Sequence, residues 1–157
     1  MISFDRLSSQ EADRLLATAR ALREAARAGQ AQPLLRGKNI ALLAPAQGDD
    51  ADLFIAAATE MGAKVSQVGT ETLDRDSPQQ LEQMAHVLTR LYDAVECEGL
   101  PSALVRRLAS LATVPVYDSV ASASHPTARL SALLGEGSSP AEARRFVVQA
   151  TLLASIS

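Results

Sequence analysis

Near the N-terminus, apolar residues recur at helical spacing: Ala12, Leu15, Leu16, Ala19, Leu22 and Ala26 form one stripe. Ser8 or Ser9 is placed to cap this helix, which runs to about Ala28. Arg14, Arg20, Arg23, Glu24 and Arg27 fill much of the remainder, the pattern of a solvated face. Gly29 stops the helix, and a connector with Pro33 leads to Lys38–Ala44, a compact apolar run that reads as a buried strand. Gln47-Gly48-Asp49-Asp50 then opens a second helix through about Met61; Gly62 ends it, and Ala63–Val68 is a second strand. Gly69–Pro78 is polar and carries no core-forming pattern. Ser77-Pro78 starts a helix whose expected buried face is Leu81, Met84, Ala85, Leu88 and Leu91. Asp93–Cys97 is a short third strand, Pro101–Leu111 a helix and Val114–Tyr117 a fourth strand. His125-Pro126 opens a helix through Leu134; after a Gly- and Ser-rich break, a last helix, Ala141–Ser155, presents Phe146, Val147, Ala150, Leu153 and Ala154 on one side.

Strands alternating with helices over short connections predict an α/β fold: a four-stranded parallel sheet with helices on both faces. Ligands of such folds sit beyond the carboxyl ends of the strands. Here those ends are Gln47–Asp50, Gly69–Ser77, Cys97–Gly99 and Asp118–Pro126. At 157 residues, without repeats or a low-complexity tract, the chain reads as one domain over residues 1–157.

Composition narrows the function classes. The chain is rich in alanine and leucine, with no Trp, 3 Phe and 2 Tyr, which suits helices packed closely on a buried sheet. The formal charge of −3 removes the usual electrostatic case for nucleic acid or an anionic membrane surface. No apolar run approaches the roughly 20 residues that span a bilayer, and the first residues lack the layout of a signal peptide. A single cysteine makes no internal disulfide, so a reducing, cytoplasmic setting is expected. Cys97 lies between Glu96 and Glu98, whose charges raise a thiol's pKa, and reads as core. His86 falls on the polar side of its helix and reads as exposed.

Six segments in collinear order carry a resemblance. They are Leu35-Arg-Gly-Lys-Asn-Ile-Ala-Leu-Leu43, Phe54-Ile-Ala-Ala-Ala, Met61-Gly-Ala-Lys-Val65, Val87-Leu-Thr-Arg-Leu-Tyr-Asp-Ala94, Val114-Pro-Val-Tyr117 and His125-Pro-Thr-Ala-Arg-Leu-Ser-Ala-Leu-Leu134. Together they resemble the ornithine and aspartate carbamoyltransferases, the ornithine branch above all, from about Ser8 to Leu134. Glu142–Leu153 also resembles the family's C-terminal helix, which there returns from the second domain to pack on the first. The resemblance implies a carbamoyl-phosphate-binding domain without the amino-acid-binding domain, Gly135–Pro140 standing where the second domain is missing. It also implies assembly, as a homotrimer or as a subunit joined to a true carbamoyltransferase. In the family the loop holding Asp74, Arg75 and Asp76 reaches into a neighbouring subunit's site; the alternative is an ordinary surface loop.

The departures from the family pattern fall in the phosphate site. The family holds its dianion with a Ser-Thr-Arg-Thr-Arg segment at a helix N-terminus, where backbone N–H groups and guanidinium groups cooperate. Aligned on Phe54, that segment is Gln47-Gly48-Asp49-Asp50-Ala51: one Arg becomes Asp49 and the next Ala51. A third family Arg is Glu98, and the His-Pro-x-Gln segment keeps His125 and Pro126 but has Ala128 for Gln. Two charges 4 Å apart interact by about 4 kcal/mol at an effective dielectric near 20, so such reversals oppose a dianion. The expectation is no carbamoyl transfer by this chain alone and a binding, regulatory or scaffolding role, with no cofactor and no resident metal. Two readings of the pocket stand side by side. Asp49 and Asp50 cap their helix and His125 caps its own; or Asp49, Asp50, Glu98 and His125 form an acidic pocket for a metal ion or an amine.

Overall fold

The computed structural model describes residues 7–44, 48–70, 77–135 and 137–156. The elements run α1 (Ser9–Arg27), β1 (Asn39–Leu43), α2 (Asp49–Glu60), β2 (Lys64–Val68), α3 (Pro78–Leu91), β3 (Ala94–Cys97), α4 (Ser102–Leu111), β4 (Val116–Asp118), a 3-10 helix (Pro126–Leu134) and α5 (Pro140–Ser155). The four strands form one parallel sheet in the order β2-β1-β3-β4. Ser8, Ser77 and Ser139 cap α1, α3 and α5 by accepting from the backbone N–H groups of Glu11, Gln80 and Glu142.

Strand alternation divides the core into two layers. Ile40, Leu42, Ala94 and Tyr117 point toward α1, α2, the 3-10 helix and α5. Ala41, Leu43, Val95, Cys97 and Val116 point toward α3 and α4. β1 is central, and its residues 40–43 are wholly buried, as its unbroken apolar run requires. β2, at the edge, is only partly covered.

Four local expectations change. Leu91 closes the α3 stripe in the sequence but is 63% exposed, because α3 ends there and the chain turns into β3. The segment Pro126–Leu134 is a 3-10 helix rather than an α-helix. The α5 face is displaced and far wider: Ala143, Phe146, Val147, Val148, Gln149, Ala150, Thr151 and Leu152 are buried, whereas Leu153 is half-buried and Ala154 exposed. The reason is position. α5 packs against α1, α2 and the 3-10 helix, so it is covered from several sides. Its buried polar groups are satisfied: Gln149 Nε2 donates to the Ala57 carbonyl at 3.1 Å, and Thr151 Oγ1 to the Val147 carbonyl at 2.9 Å. Fourth, Arg20, Arg23 and Arg27 are not merely a solvated face; Arg20 and Arg23 hold the end of the 3-10 helix and Arg27 the connector after it.

Candidate functional site at the carboxyl edge of the sheet

Parallel strands end together, so residues far apart in sequence converge at one edge. β3 supplies Glu96, and Glu98 follows its end; β4, in register with it, ends at Asp118; α2 brings Asp50 in its first turn. Glu96 is entirely buried, and its carboxyl group accepts from the Val120 N–H, with contacts of 3.3 and 3.1 Å to the two oxygens. Burial, reinforced by Glu98 and Asp118, raises its pKa well above the carboxylate range against the opposing Val120 bond. Glu98 is partly buried, and burial first, then the charges of Asp50 and Asp118, push its pKa up to about 7. Its Oε2 is buried without a hydrogen-bond partner. Asp118 accepts from Ser102 Oγ at 2.9 Å.

A cation among the described residues reaches this edge from the far end of the chain. Arg144 of α5 donates to the carbonyl oxygens of Ala121 and Ser122, the latter at 2.7 Å. Burial lowers its pKa and the Asp50 charge works the other way. The loop it grips begins at Ser119, a non-glycine residue at φ +53, in the left-handed region that costs a side chain free energy. Two hydrogen-bonded groups secure that loop: Glu96 through Val120 and Arg144 through Ala121 and Ser122.

Of the sequence candidates, the structure brings Asp50 and Glu98 together. Gly48 is the N-cap of α2, and Asp49 and Asp50 occupy the first turn, where the dipole favours their charge. Asp49 is exposed, and the charges that act on Glu98 are those of Asp50 and Asp118. His125 is the N-cap of the 3-10 helix: its Nδ1 accepts from the Thr127 N–H at 3.2 Å and lies 2.8 Å from Thr127 Oγ1. Gln47, Asp74, Arg75 and Asp76 lie outside the described residues. Among the described residues no group of three or more His, Cys, Asp or Glu side chains is arranged to hold a metal ion. Sequence reasoning missed Asp118 and Arg144. Asp118 was legible as the residue ending the fourth strand; Arg144 carried no local signal.

The class is thus a parallel α/β domain whose described residues bring the carboxyl groups of Asp50, Glu96, Glu98 and Asp118 and the guanidinium group of Arg144 to the carboxyl edge of the sheet. A family model described as "Aspartate/ornithine carbamoyltransferase, carbamoyl-P binding domain" matches residues 1–134, and the chain belongs to that family. The chain is 35% identical over 132 residues to the ornithine carbamoyltransferase of Cutibacterium acnes, covering 83% of this chain and 40% of that protein. It is 32% identical over 135 residues to that of Haemophilus influenzae, covering 85% and 40%. Among solved structures, the ornithine carbamoyltransferase of Pyrococcus furiosus matches with a TM-score of 0.69 at 24% identity, over 81% of this chain and 41% of that one. The catalytic subunit of M. jannaschii aspartate transcarbamoylase matches with a TM-score of 0.68 at 20% identity, over 85% and 44%. The chain thus spans about two fifths of the length of the curated relatives it matches, 40% in both cases. No described helix is long and apolar enough to cross a membrane.

Proposed function

We propose that this chain is a carbamoyltransferase-family domain that works by binding, as a regulatory or scaffolding protein, and does not itself transfer a carbamoyl group. The observation that carries this reading is the charge at the ligand edge. Asp50, Glu96, Glu98 and Asp118 gather there, and burial first, then their mutual charges, raise the carboxyl pKa values of Glu96 and Glu98. A dianionic carbamoyl phosphate entering there would meet carboxyl groups where the family pattern has arginines, and Arg144, the cation beside Asp50, already spends hydrogen bonds on Ala121 and Ser122. The described residues of this edge offer a leaving phosphate little preorganised positive charge.

The assembly we propose is a homotrimer or a mixed oligomer with a full-length carbamoyltransferase, in the cytoplasm. The test has two parts. Calorimetric titration with carbamoyl phosphate, together with an assay of carbamoyl transfer to ornithine or aspartate, is expected to give neither heat nor product; measurable transfer by the pure protein overturns the reading. Native mass spectrometry of the protein taken gently from its host then separates a self-assembled trimer from a mixed assembly.

A second reading, an acidic pocket for an amine, is favoured by one observation: the buried Glu98 Oε2 has no partner. Saturable polyamine binding that is lost in Asp50→Asn and Glu98→Gln would move the assignment to it.

A further inference from the structure

The loop that leaves β4 is tied down onto β3 at its start. The Ser119 N–H donates to the Cys97 carbonyl at 2.7 Å, the Gly99 N–H to Ser119 Oγ at 3.3 Å, and the Val120 N–H to the carboxyl oxygens of Glu96 at 3.3 and 3.1 Å. Among the described Asp, Glu, Lys and Arg residues, Glu96 is the one with no exposure. Its register partners, Leu42 on β1 and Tyr117 on β4, bring no counter-charge. The ion pair present among the described residues joins Arg145 to Glu60, so none reaches Glu96.

The charges acting on Glu96 are those of Glu98 and Asp118, both of its own sign, while Cys97 beside it and Tyr117 across from it feel its charge in turn. Asp50 of α2 acts on Glu98, and Arg144 of α5 gives its bonds to the carbonyls of Ala121 and Ser122. Ionised in place, Glu96 would be a buried charge among like charges, with only the loop's Ser119 and Val120 N–H groups to compensate it. The interior penalises such a charge heavily, so the docked group keeps its proton. A carboxylate needs water, and the loop bonded to Glu96 runs out to the surface at Ala123 and Ser124. Ser119, at φ +53, holds backbone strain that a lifted loop can relax.

We infer that Glu96 is a proton-linked latch at the carboxyl edge of the sheet: with its proton it keeps Ser119 and Val120 docked on β3, and losing that proton lifts them and opens the edge to solvent. Opening passes one proton from the Glu96 carboxyl group to solvent, and the carboxylate exchanges the Val120 N–H for water. The grip of Arg144 on Ala121 and Ser122 is not proton-linked, because a guanidinium group keeps its charge. The moving part is therefore the start of the loop, with its far side held from α5. Two packings of one short segment, biased by one buried titratable group, make a switch of the kind that proton-sensing proteins use.

The inference does not rest on the proposed function, and hydrogen exchange of the whole chain, followed by NMR without any ligand, tests it. Rates are converted to protection relative to the unfolded chain, which removes the intrinsic pH dependence. The docked state binds one proton more than the lifted state. Val120 protection should therefore fall by up to about tenfold per pH unit above the ordinary carboxylate range, until the docked group itself ionises. The Leu42 and Leu43 amides of the central strand should hold their protection over the same range. Glu96→Gln keeps an acceptor for the Val120 N–H and has no proton to lose, so its Val120 protection should not change with pH. The parent chain supplies a reading that needs no variant: the Glu96 carboxyl carbon should keep its protonated signal where exposed carboxyl groups have ionised. An ionised signal there overturns the inference. So does Val120 protection that is flat in the parent, that falls equally in Glu96→Gln, or that falls in step with Leu42 and Leu43.

Discussion

Glu98→Gln tests the electrostatics of the ligand edge directly. In the folded protein the Glu98 carboxyl keeps its proton to about pH 7, whereas its ordinary value is 4.5. Between those values the native state binds more protons than the unfolded state, so this group's contribution to stability is present below pH 4.5 and is lost as pH rises through 7. A rise of that size is worth about 3 kcal/mol for a group wholly removed from water. Glu98 is only partly buried, so solvent screening reduces the figure to about 1–2 kcal/mol. Glutamine keeps the shape and never ionises. Urea unfolding at pH 5 and pH 8 should therefore show the variant gaining about 1–2 kcal/mol on the parent between the two conditions. An equal gap at the two pH values would refute the reasoning, because it would mean that burial and the charges of Asp50 and Asp118 together do not raise the Glu98 pKa.

Further outcomes follow from packing and chain geometry. Gln149→Leu leaves the Ala57 carbonyl buried without its donor and should cost about 1–3 kcal/mol in chemical denaturation. Gly62→Ala should also destabilise, by about 1–3 kcal/mol in thermal or urea melts: Gly62 sits at φ +91, and its Cβ would lie 3.1 Å from Pro33 and 3.3 Å from the Arg36 backbone. Cys97 is wholly buried, and burial together with the charges of Glu96 and Asp118 pushes its thiol far up. Alkylation should therefore be negligible in the native protein at pH 8 and rapid once urea unfolds it, whereas fast native labelling would contradict its place in the core.

The sequence by itself determined the order and type of nearly every element, because those depend on neighbours within a few residues. The apolar run before Pro45 could only be a buried strand, and the serines at positions 8, 77 and 139 cap the helices that follow them. It also determined which segments share the carboxyl edge of the sheet, since parallel strands end on one side. Tertiary structure alone decided what the charged residues do there and elsewhere. Arg20, Arg23 and Arg27 read as a solvated face because their acceptors lie more than 100 residues away in the chain. Arg144 carried no signal for the same reason: only the docking of α5 beside α2 and the 3-10 helix brings its guanidinium to Ala121, Ser122 and Asp50. Docking on several sides also buries more of α5 than one stripe accounts for, so Leu152 and Thr151 are covered while Ala154 is exposed. Periodicity reports one buried face, whereas a helix enclosed by several neighbours, and the partners of its charges, are properties of the packed molecule.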